Sequence, residues 1–402
     1  MILYEKKEDC CGCGACLNAC PKDAISMRPD EYGFIYPIID QEKCVECGLC
    51  TQSCRFSNAE TVAPHTVYAA ANQNYNDIMN AASGGVFTAV ATEFLKSGGV
   101  VFGAALFFVD GHTKSKHIQV NSIDDLWKLQ GSKYVQSEIG LTYRQAKKCL
   151  QVGQKVLFSG TPCQIAGLKS YLKKDYDGLY TVDLICHGVP SGVLFDDYIQ
   201  YKNHVLGGTT INFKFRDKSR GWGMNTSLEY IKSDQKKVIY SPARLESYCS
   251  LFLDGVTYRE NCYSCPYAKS ERIGDITVGD YWGIENAHPE LAHDPAFEES
   301  KGISCILVNS KKGLELCNSA NETLCFHKSE IDKVIVRNKQ LRAPSQKPEI
   351  RVSVLAEYKQ GGYAAVNKLF KKKYKKQLLI HFVYNIIPRK IRSKLKRLIN
   401  KD

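Results

Sequence analysis

The chain has 402 residues, of which 44% are hydrophobic and 24% charged, proportions typical of a folded globular protein. Its net charge of +12 comes from residues 361–402, which hold thirteen basic residues and one acidic residue, while the body is neutral. No aromatic-rich basic surface accompanies these residues, so nucleic acid is not an expected partner. The start of the chain lacks a secretory signal, which predicts a cytoplasmic protein with reduced thiols, and the 18 cysteines therefore indicate metal binding.

The first predicted element is a pair of cysteine motifs with the repeated spacing C-x2-C-x2-C-x3-C. This is the spacing of bacterial two-cluster ferredoxins, in which three close cysteines hold one 4Fe–4S cluster and the fourth ligates the other. One predicted ligand set is Cys10, Cys13, Cys16 and Cys54. The other is Cys44, Cys47, Cys50 and Cys20. A zinc ribbon also uses paired C-x2-C motifs, but a third cysteine at the same interval is superfluous for a four-ligand zinc site. Cys11 is out of register and is predicted to be a spare thiol.

Beyond a linker at residues 57–65, the body alternates strand-like and helix-like segments. The apolar runs VLFS (156–159) and YTVDLI (180–185) are each followed by a loop and a helical pattern, an order that favours α/β layers. Alternating residues between 211 and 240 predict antiparallel strands, with Ser233 and Asp234 at a turn. The runs DITVGD (275–280) and ISCILVN (303–309) predict two further buried strands.

Three loops are candidates for holding a cofactor. Ser83, Gly84 and Gly85 precede the helical pattern VFTAVATEFL, and a glycine pair before a helix offers backbone N–H groups to a phosphate, although a plain tight turn explains it as well. Gly160 and Thr161 follow a predicted strand and precede a helix, which is the usual position of a ligand in α/β folds. The segment GDYWG (279–283) adds aromatic residues beside an acid.

A third metal site is suggested by the remaining cysteines. Cys262 and Cys265 form one C-x2-C motif, which supplies half of a site, and the best partners are Cys163 and Cys186 in loops after strands. Spacing alone leaves open a site that uses Cys249, or no site at all, since ligands from distant segments are not determined by sequence. Four others read as small hydrophobic residues: Cys149, Cys305, Cys317 and Cys325.

Together, the segments SGGVFTA, QGSKYVQS, SGTPCQIAGLKSYL, DLICHGVPS, CYSCPYA, RIGDITVGDYWGI and KGISCILVN resemble the coenzyme F420 hydrogenase/dehydrogenase beta-subunit family. The resemblance implies an α+β or α/β multidomain fold with mixed sheets. Its expected parts are a ferredoxin-like dicluster domain (1–58), a beta-subunit N-terminal-like domain (65–178), a C-terminal-like domain (179–345) and a basic helical tail (346–402).

The resemblance also implies the cofactors. Members bind FAD beside a 4Fe–4S cluster, so a third cluster is expected on Cys163, Cys186, Cys262 and Cys265. The expected FAD-binding residues are Ser83, Gly84, Gly85, Ser132, Lys133, Tyr134, Gly160 and Thr161. Lys133, Arg216 and Arg220 are candidate partners for phosphate or an anionic flavin, or are solvated surface charges. His187 is either a proton relay or a structural histidine, and no catalytic residue is assigned.

These features predict an iron–sulfur flavoprotein oxidoreductase that moves electrons between ferredoxin-type clusters and a small molecule, either F420 or another acceptor, through FAD. The alternative is a non-catalytic electron-transfer subunit of a larger redox complex. The expected partners are ferredoxin or a redox subunit, together with the small-molecule electron acceptor or donor.

The C-terminal tail predicts two amphipathic, cationic helices separated by Pro388. Such helices bind an anionic membrane surface, which would make the protein peripheral to the inner face of the membrane, or they pack on the body with a solvated charged face.

Overall fold

The structure is a computed structural model that describes residues 3–54, 56 and 60–387, without the side chains of residues 384–386. Its strands are β1 (Ile25–Pro29), β2 (Ile35–Ile39), β3 (Thr66–Asn72), β4 (Val100–Val109), β5 (His112–Val120), β6 (Val156–Ser159), β7 (Leu179–Leu184), β8 (Thr209–Lys214), β9 (Asn225–Lys232), β10 (Gln235–Pro242), β11 (Ile276–Asp280), β12 (Ser304–Val308) and β13 (Leu324–Ser329). Its helices are α1 (Ala15–Ala19), α2 (Leu49–Gln52), α3 (Tyr75–Asn80), α4 (Val86–Lys96), α5 (Thr142–Gln151), α6 (Pro162–Leu172), α7 (Gly192–Leu206), α8 (Ser247–Leu253), α9 (Ile284–Ala287), α10 (Lys311–Ser319), α11 (Ile331–Ile335), α12 (Ile350–Lys373) and α13 (Lys375–Ile386).

The cysteine-rich N-terminal module contains two short helices and the antiparallel pair β1–β2. Gly14 and Gly48 take the same place in the two cysteine motifs, immediately before α1 and α2. Both have φ near +70°, a left-handed conformation that favours glycine. The repeated motif therefore produces the same tight turn into a helix twice, as expected of a ferredoxin-like module.

A mixed sheet with strand order β13-β3-β12-β11-β7-β6-β4-β5 organises the body of the described chain. Strands β4, β6, β7 and β11 run parallel, and the remaining neighbours pair antiparallel. Helices α4 and α10 cover one face, where Val101, Leu157 and Val182 are buried. Helices α5 and α6 cover the face that buries Phe102 and Phe158. This confirms the predicted α/β layers with a mixed sheet.

The sheet joins the two segments that the sequence separates at residues 178 and 179. That boundary falls between β6 and β7, which are paired neighbours. The segments 65–178 and 179–345 thus contribute strands to a common sheet, because the hydrophobic cores on its two faces draw on both of them.

A smaller antiparallel sheet, with order β10-β9-β8, packs against helices around an aromatic core. Ser233 and Asp234 both have positive φ and form the tight turn between β9 and β10, as the alternation pattern predicts. The core buries side chains of α7, α8 and α12, among them Phe195, Tyr248 and Phe370. Cys249 is buried in this core.

The C-terminal segment begins as part of the body. Helix α12 bends at Gly361 and Gly362 and buries Tyr363, Val366 and Phe370, so this helix is not a free tail. The next helix, α13, instead exposes Leu379, Ile380, Phe382 and Val383. The helix predicted after Pro388 lies outside the described residues. No helix in the described part of the chain combines the length and apolar character that crossing a bilayer requires.

Candidate redox cofactor sites

Two cavities in the N-terminal module separate its eight regularly spaced cysteines into two sets of four. The first cysteine cavity is lined by Cys10, Cys13, Cys16 and Cys54. The second cysteine cavity is lined by Cys20, Cys44, Cys47 and Cys50. In each set, three thiols come from one motif and the fourth from the other motif, which is the crossed arrangement of two-cluster ferredoxins.

The first cysteine cavity also contains an unsatisfied polar group. Ser53 is 1% exposed and lines this cavity, and its hydroxyl has no hydrogen-bond partner among the described residues. Buried hydroxyls normally have a partner, so an unpaired one facing a cavity fits an acceptor that occupies the cavity. A cluster sulfide or thiolate is such an acceptor.

A third set of cysteines meets where two parallel strands end. Cys163 lies at the start of α6 after β6, and Cys186 follows β7. Cys262 and Cys265 lie in and just after a short 3₁₀ turn. Burial, together with the charge of Cys163, raises the pKa of the Cys262 thiol to about 12 and that of Cys265 to about 11. The pKa of Cys186 is raised by burial and by the charges of the other three, which shows that the four thiols are neighbours.

A buried ion pair holds the segment that carries Cys262 and Cys265. The Arg272 guanidinium lies 3.0 Å from the Asp183 carboxylate of β7, and both side chains are at most 1% exposed. Arg272 also donates to the carbonyl oxygens of Tyr267, Lys269 and Leu184, so its remaining N–H groups are satisfied. The Asp183 carboxylate accepts from the backbone N–H of Gly274 at 2.8 Å. The pair thereby fixes the Cys262–Cys265 segment relative to the strand that precedes Cys186.

Cys11 is not a spare thiol. It is 6% exposed, and its Sγ is hydrogen-bonded to the sulfur atoms of both Cys13 and Cys163. Cys11 and Cys163 also line both the first cysteine cavity and a large cleft in the body. Helix α6 comes this close because it has a glycine at the contact: a Cβ on Gly167 would lie 2.8 Å from the Cys13 sulfur. Sequence spacing has no signal for this contact, since it depends on docking of the module.

The large cleft lies at the carboxyl ends of β6, β7 and β11 and encloses about 1640 Å³ of empty space, including its open mouth. Ligands of α/β folds bind at this edge of the sheet. Seven of the eight predicted FAD-binding residues line it: Ser83, Gly85, Ser132, Lys133, Tyr134, Gly160 and Thr161. Gly84 lies behind the wall, where its N–H donates to Ser304 Oγ and an added Cβ would collide with the carbonyl oxygen of Ala70.

Two lysines at the cleft have unusual environments. Burial lowers the pKa of Lys133 to about 7, and its ammonium donates to the carbonyl oxygen of Gln130 at 2.7 Å. Burial also lowers the pKa of Lys218 to about 7, and its ammonium donates to the carbonyl oxygens of Ser83 and Lys301, which fixes the loop before α4. Lys133 therefore lines the cleft as a cation or a neutral amine, whereas Lys218 supports its wall.

The other predicted charged residues have different roles. The guanidinium of Arg216 forms a two-point ion pair with the Asp280 carboxylate, at 2.7 and 3.1 Å, and only Asp280 lines the cleft. Arg220 lies over the ring of Tyr240, on the small sheet. Sequence analysis treats both arginines as candidate phosphate partners, but Arg216 is already neutralised by a carboxylate.

Two histidines line the cleft, and one of them escapes sequence analysis. His187 has its pKa lowered by burial. His117 has its pKa lowered by burial to about 4, so it is neutral near pH 7. Its Nε2 donates to the Ser159 carbonyl at 3.0 Å, which leaves Nδ1 to accept from the Ser137 hydroxyl at 2.9 Å. No motif around His117 marks it, because it reaches the cleft from the edge strand β5.

Comparison with known proteins agrees with this arrangement. Residues 9–58 match a 4Fe-4S dicluster domain. The chain is 40% identical over 48 residues to an uncharacterized ferredoxin of Methanocaldococcus jannaschii, an alignment that spans 12% of this chain and 61% of that protein. Residues 153–334 match the family described as the C terminus of the coenzyme F420 hydrogenase/dehydrogenase beta subunit. A chain of the F420-reducing [NiFe] hydrogenase complex from Methanosarcina barkeri overlaps 75% of this chain and 94% of its own length, with 16% identity and a TM-score of 0.43.

The N-terminal module makes this an iron–sulfur protein with two 4Fe–4S clusters. Its body is that of a redox-enzyme subunit: residues 153–334 belong to the coenzyme F420 hydrogenase/dehydrogenase beta-subunit family, which confirms the resemblance seen in the sequence motifs.

The Arg272–Asp183 pair allows a direct test of how the third cysteine set is held. Replacing Arg272 with Met should lower the free energy of unfolding by about 3–5 kcal/mol, because the buried Asp183 carboxylate loses its counter-charge. Lys236→Met, which breaks an exposed ion pair with Glu229, should cost less than about 1 kcal/mol. Anaerobic urea unfolding followed by circular dichroism measures both, and equal effects would show that the buried pair is not structurally important.

Proposed function

We propose that this protein is an iron–sulfur flavoprotein oxidoreductase that moves electrons between ferredoxin-type clusters and a small-molecule substrate by means of FAD. The observation that carries the proposal is the wall formed by Cys11 and Cys163, which lines both the first cysteine cavity and the cleft. When bound, FAD supplies the exchange between single electrons and a hydride pair that such a reaction requires.

The proposed cluster ligands are the cysteine sets described above. Cys10, Cys13, Cys16 and Cys54 would hold the first cluster, and Cys20, Cys44, Cys47 and Cys50 the second. A third 4Fe–4S cluster would be held by Cys163, Cys186, Cys262 and Cys265, whose thiols are buried and neighbouring. Four thiols that burial keeps protonated near pH 7 have little reason to gather unless a metal centre deprotonates them.

The cleft supplies the groups that FAD needs. The N-terminus of the eleven-residue helix α4 opens into it, and Ser83 and Gly85 line the cleft at that end. Backbone N–H groups at a helix N-terminus attract phosphate. The Lys133 ammonium adds a positive charge, and Gly160 and Thr161 border the wall shared with Cys163. The substrate side remains unassigned: the acceptor is F420 or another small molecule.

A second candidate is a non-catalytic electron-transfer subunit of a larger redox complex, served by ferredoxin or a partner subunit. It is favoured by the description of the matching family, whose members are beta subunits. The two candidates differ in one measurable property, because an electron carrier with clusters alone needs no FAD in the cleft.

Iron content tests the third cluster. Anaerobically purified protein should contain about twelve iron atoms per chain, which is four on each of three cysteine sets. Cys262→Ser should lower this to about eight, because only the third set loses a ligand, whereas Cys317→Ser, at a buried cysteine of the α10 core, should leave it unchanged. A wild-type value near eight that Cys262→Ser does not alter would contradict the third cluster.

Titration of the apoprotein with FAD tests the role of Lys133. FAD should bind about tenfold more weakly at pH 8 than at pH 6, because each unit above a pKa of about 7 removes tenfold of the charged ammonium. His117, with a pKa of about 4, stays neutral over this range. Lys133→Arg should bind with little pH dependence, since Arg stays charged, and Lys133→Met should bind weakly at both pH values.

Flavin fluorescence quenching measures these affinities. A Lys133→Met protein that keeps the wild-type affinity and pH slope would remove Lys133 from the site. Absence of any FAD binding would favour the non-catalytic subunit.

We further propose that α13 attaches the protein to an anionic membrane surface. Leu379, Ile380, Phe382 and Val383 are each about half or more exposed, and a run of lysines at 371–373 and 375–376 precedes them. Exposed apolar side chains beside lysines are the chemistry of interfacial helices. The opposing, structural role applies to α12, whose buried Phe370 packs in the aromatic core.

Vesicle binding tests this attachment without cutting into the packed helix α12. The double variant Leu379→Ser/Phe382→Ser should bind phosphatidylserine vesicles at least about tenfold more weakly than wild type, because two apolar side chains no longer insert. Val152→Ser/Val205→Ser, at equally exposed positions elsewhere, is the control. Sedimentation with vesicles should also show release by salt, since screening acts beyond about 10 Å at 0.1 M. Equal binding of both double variants would reject the membrane role of α13.

A further inference from the structure

Three potential metal ligands converge at a place that the redox cavities do not include. His288 Nδ1 lies 2.8 Å from Glu290 Oε1. His327 Nε2 lies 3.2 Å from both of these atoms. Among the described residues, this is the group in which three His, Cys, Asp or Glu ligand atoms lie closest to single-ion spacing, all within 4.8 Å of one another.

Different elements bring the three side chains together. His288 follows α9, where its backbone N–H donates to the Ile284 carbonyl, and its side chain is 3% exposed. Glu290 is two residues further on and its side chain is 55% exposed. His327 comes from the middle of the edge strand β13 and is 31% exposed. One ligand is therefore anchored in the interior, while the other two leave an open side toward solvent.

The mutual distances match those between ligands of one metal ion. Zinc binds His nitrogen at about 2.0–2.1 Å and carboxylate oxygen at about 2.0–2.2 Å, so tetrahedral ligand atoms stand about 3.3 Å apart. Protons alone satisfy the group less well. Two imidazole N–H groups donating to one Glu290 oxygen would place two positive hydrogens side by side, with their nitrogens 3.2 Å apart.

A further hydrogen bond orients the buried ligand. His288 Nε2 lies 2.8 Å from Ser329 Oγ, which in turn lies 2.7 Å from the Tyr281 hydroxyl. A metal-binding histidine typically has its other ring nitrogen hydrogen-bonded in this way, which fixes the tautomer and leaves the first nitrogen free to bind the ion.

We propose that His288 Nδ1, His327 Nε2 and Glu290 Oε1 bind a zinc ion, with water in the remaining position. Two imidazoles and one carboxylate suit a divalent first-row ion such as Zn²⁺ rather than Ca²⁺ or Mg²⁺, which prefer oxygen ligands. The site contains no cysteine, so it is chemically distinct from the iron–sulfur sites.

The ion would fasten the connection between β11 and β12 to the edge strand β13. This connection, residues 281–303, starts and ends at the cleft, because Asp280, Trp282 and Ser304 all line it. His288 and Glu290 lie within the connection, and His327 lies on β13. Zinc at this position would thus hold one wall of the cleft in place from outside.

Zinc binding to the full-length, cluster-containing protein tests the proposal. After anaerobic chelator treatment and addition of ZnSO₄, the protein should retain about one zinc per chain, with nitrogen and oxygen ligands at about 2.0–2.1 Å by X-ray absorption. Glu290→Gln and His327→Gln should each lower zinc affinity at least about tenfold. His112→Gln, at an exposed histidine paired with Asp196, should not. Iron content, measured in parallel, should be the same in all four proteins.

Three results would overturn the proposal: no retained zinc, equal zinc affinity in all variants, or zinc–sulfur distances of about 2.3 Å, which indicate binding at cysteine. Hydrogen exchange supplies a readout of the fastening role. Zinc should slow exchange in residues 284–301 of the wild type and of His112→Gln, but not of Glu290→Gln. Slowing that is equal in Glu290→Gln would also contradict the assignment.

Discussion

The buried guanidinium of Arg259 is the interaction on which the arrangement of the redox sites depends. Arg259 is fully buried and donates to the carbonyl oxygens of Cys10 and Ile35, each at 2.8 Å, and it lies over the ring of Tyr36. Its backbone N–H donates to the Val189 carbonyl. Among the described residues no carboxylate pairs with it, and the Cys10 sulfur lies 3.7 Å away. A buried cation needs a counter-charge, and cluster thiolates provide one.

This docking explains why the redox sites adjoin. Arg259 comes three residues before Cys262, so one side chain connects the first cysteine set to the segment of the third. Gly167 allows α6 to reach Cys13, and Cys11 then contacts Cys163 at the border of the cleft. The carboxyl ends of the parallel strands supply the loops that complete the cleft. The sheet therefore acts as a rigid frame, and the module docks where the frame carries its cofactor loops.

Features determined by local chemistry could be predicted from the sequence, and those determined by docking could not. Cysteine spacing predicts the two clusters, since Gly14 and Gly48 make the same turn in each motif. Strand and turn patterns predict β8–β10 and the layers of the main sheet. The contacts of Cys11, and His117 at the cleft, depend on segments far apart in the chain and leave no local pattern. The ion pair of Arg216 with Asp280, 64 residues away, is hidden for the same reason.

The central claim is that the first and third cysteine sets hold clusters that share a wall at Cys11 and Cys163. Electron paramagnetic resonance of the fully reduced, anaerobic protein tests it most directly. The account predicts broadened, interacting spectra that sharpen in Cys262→Ser, which lacks the third cluster, and that also change in Arg259→Met, which loosens the docking. A wild-type spectrum that is the simple sum of isolated clusters, unchanged in shape by Arg259→Met, would contradict the account.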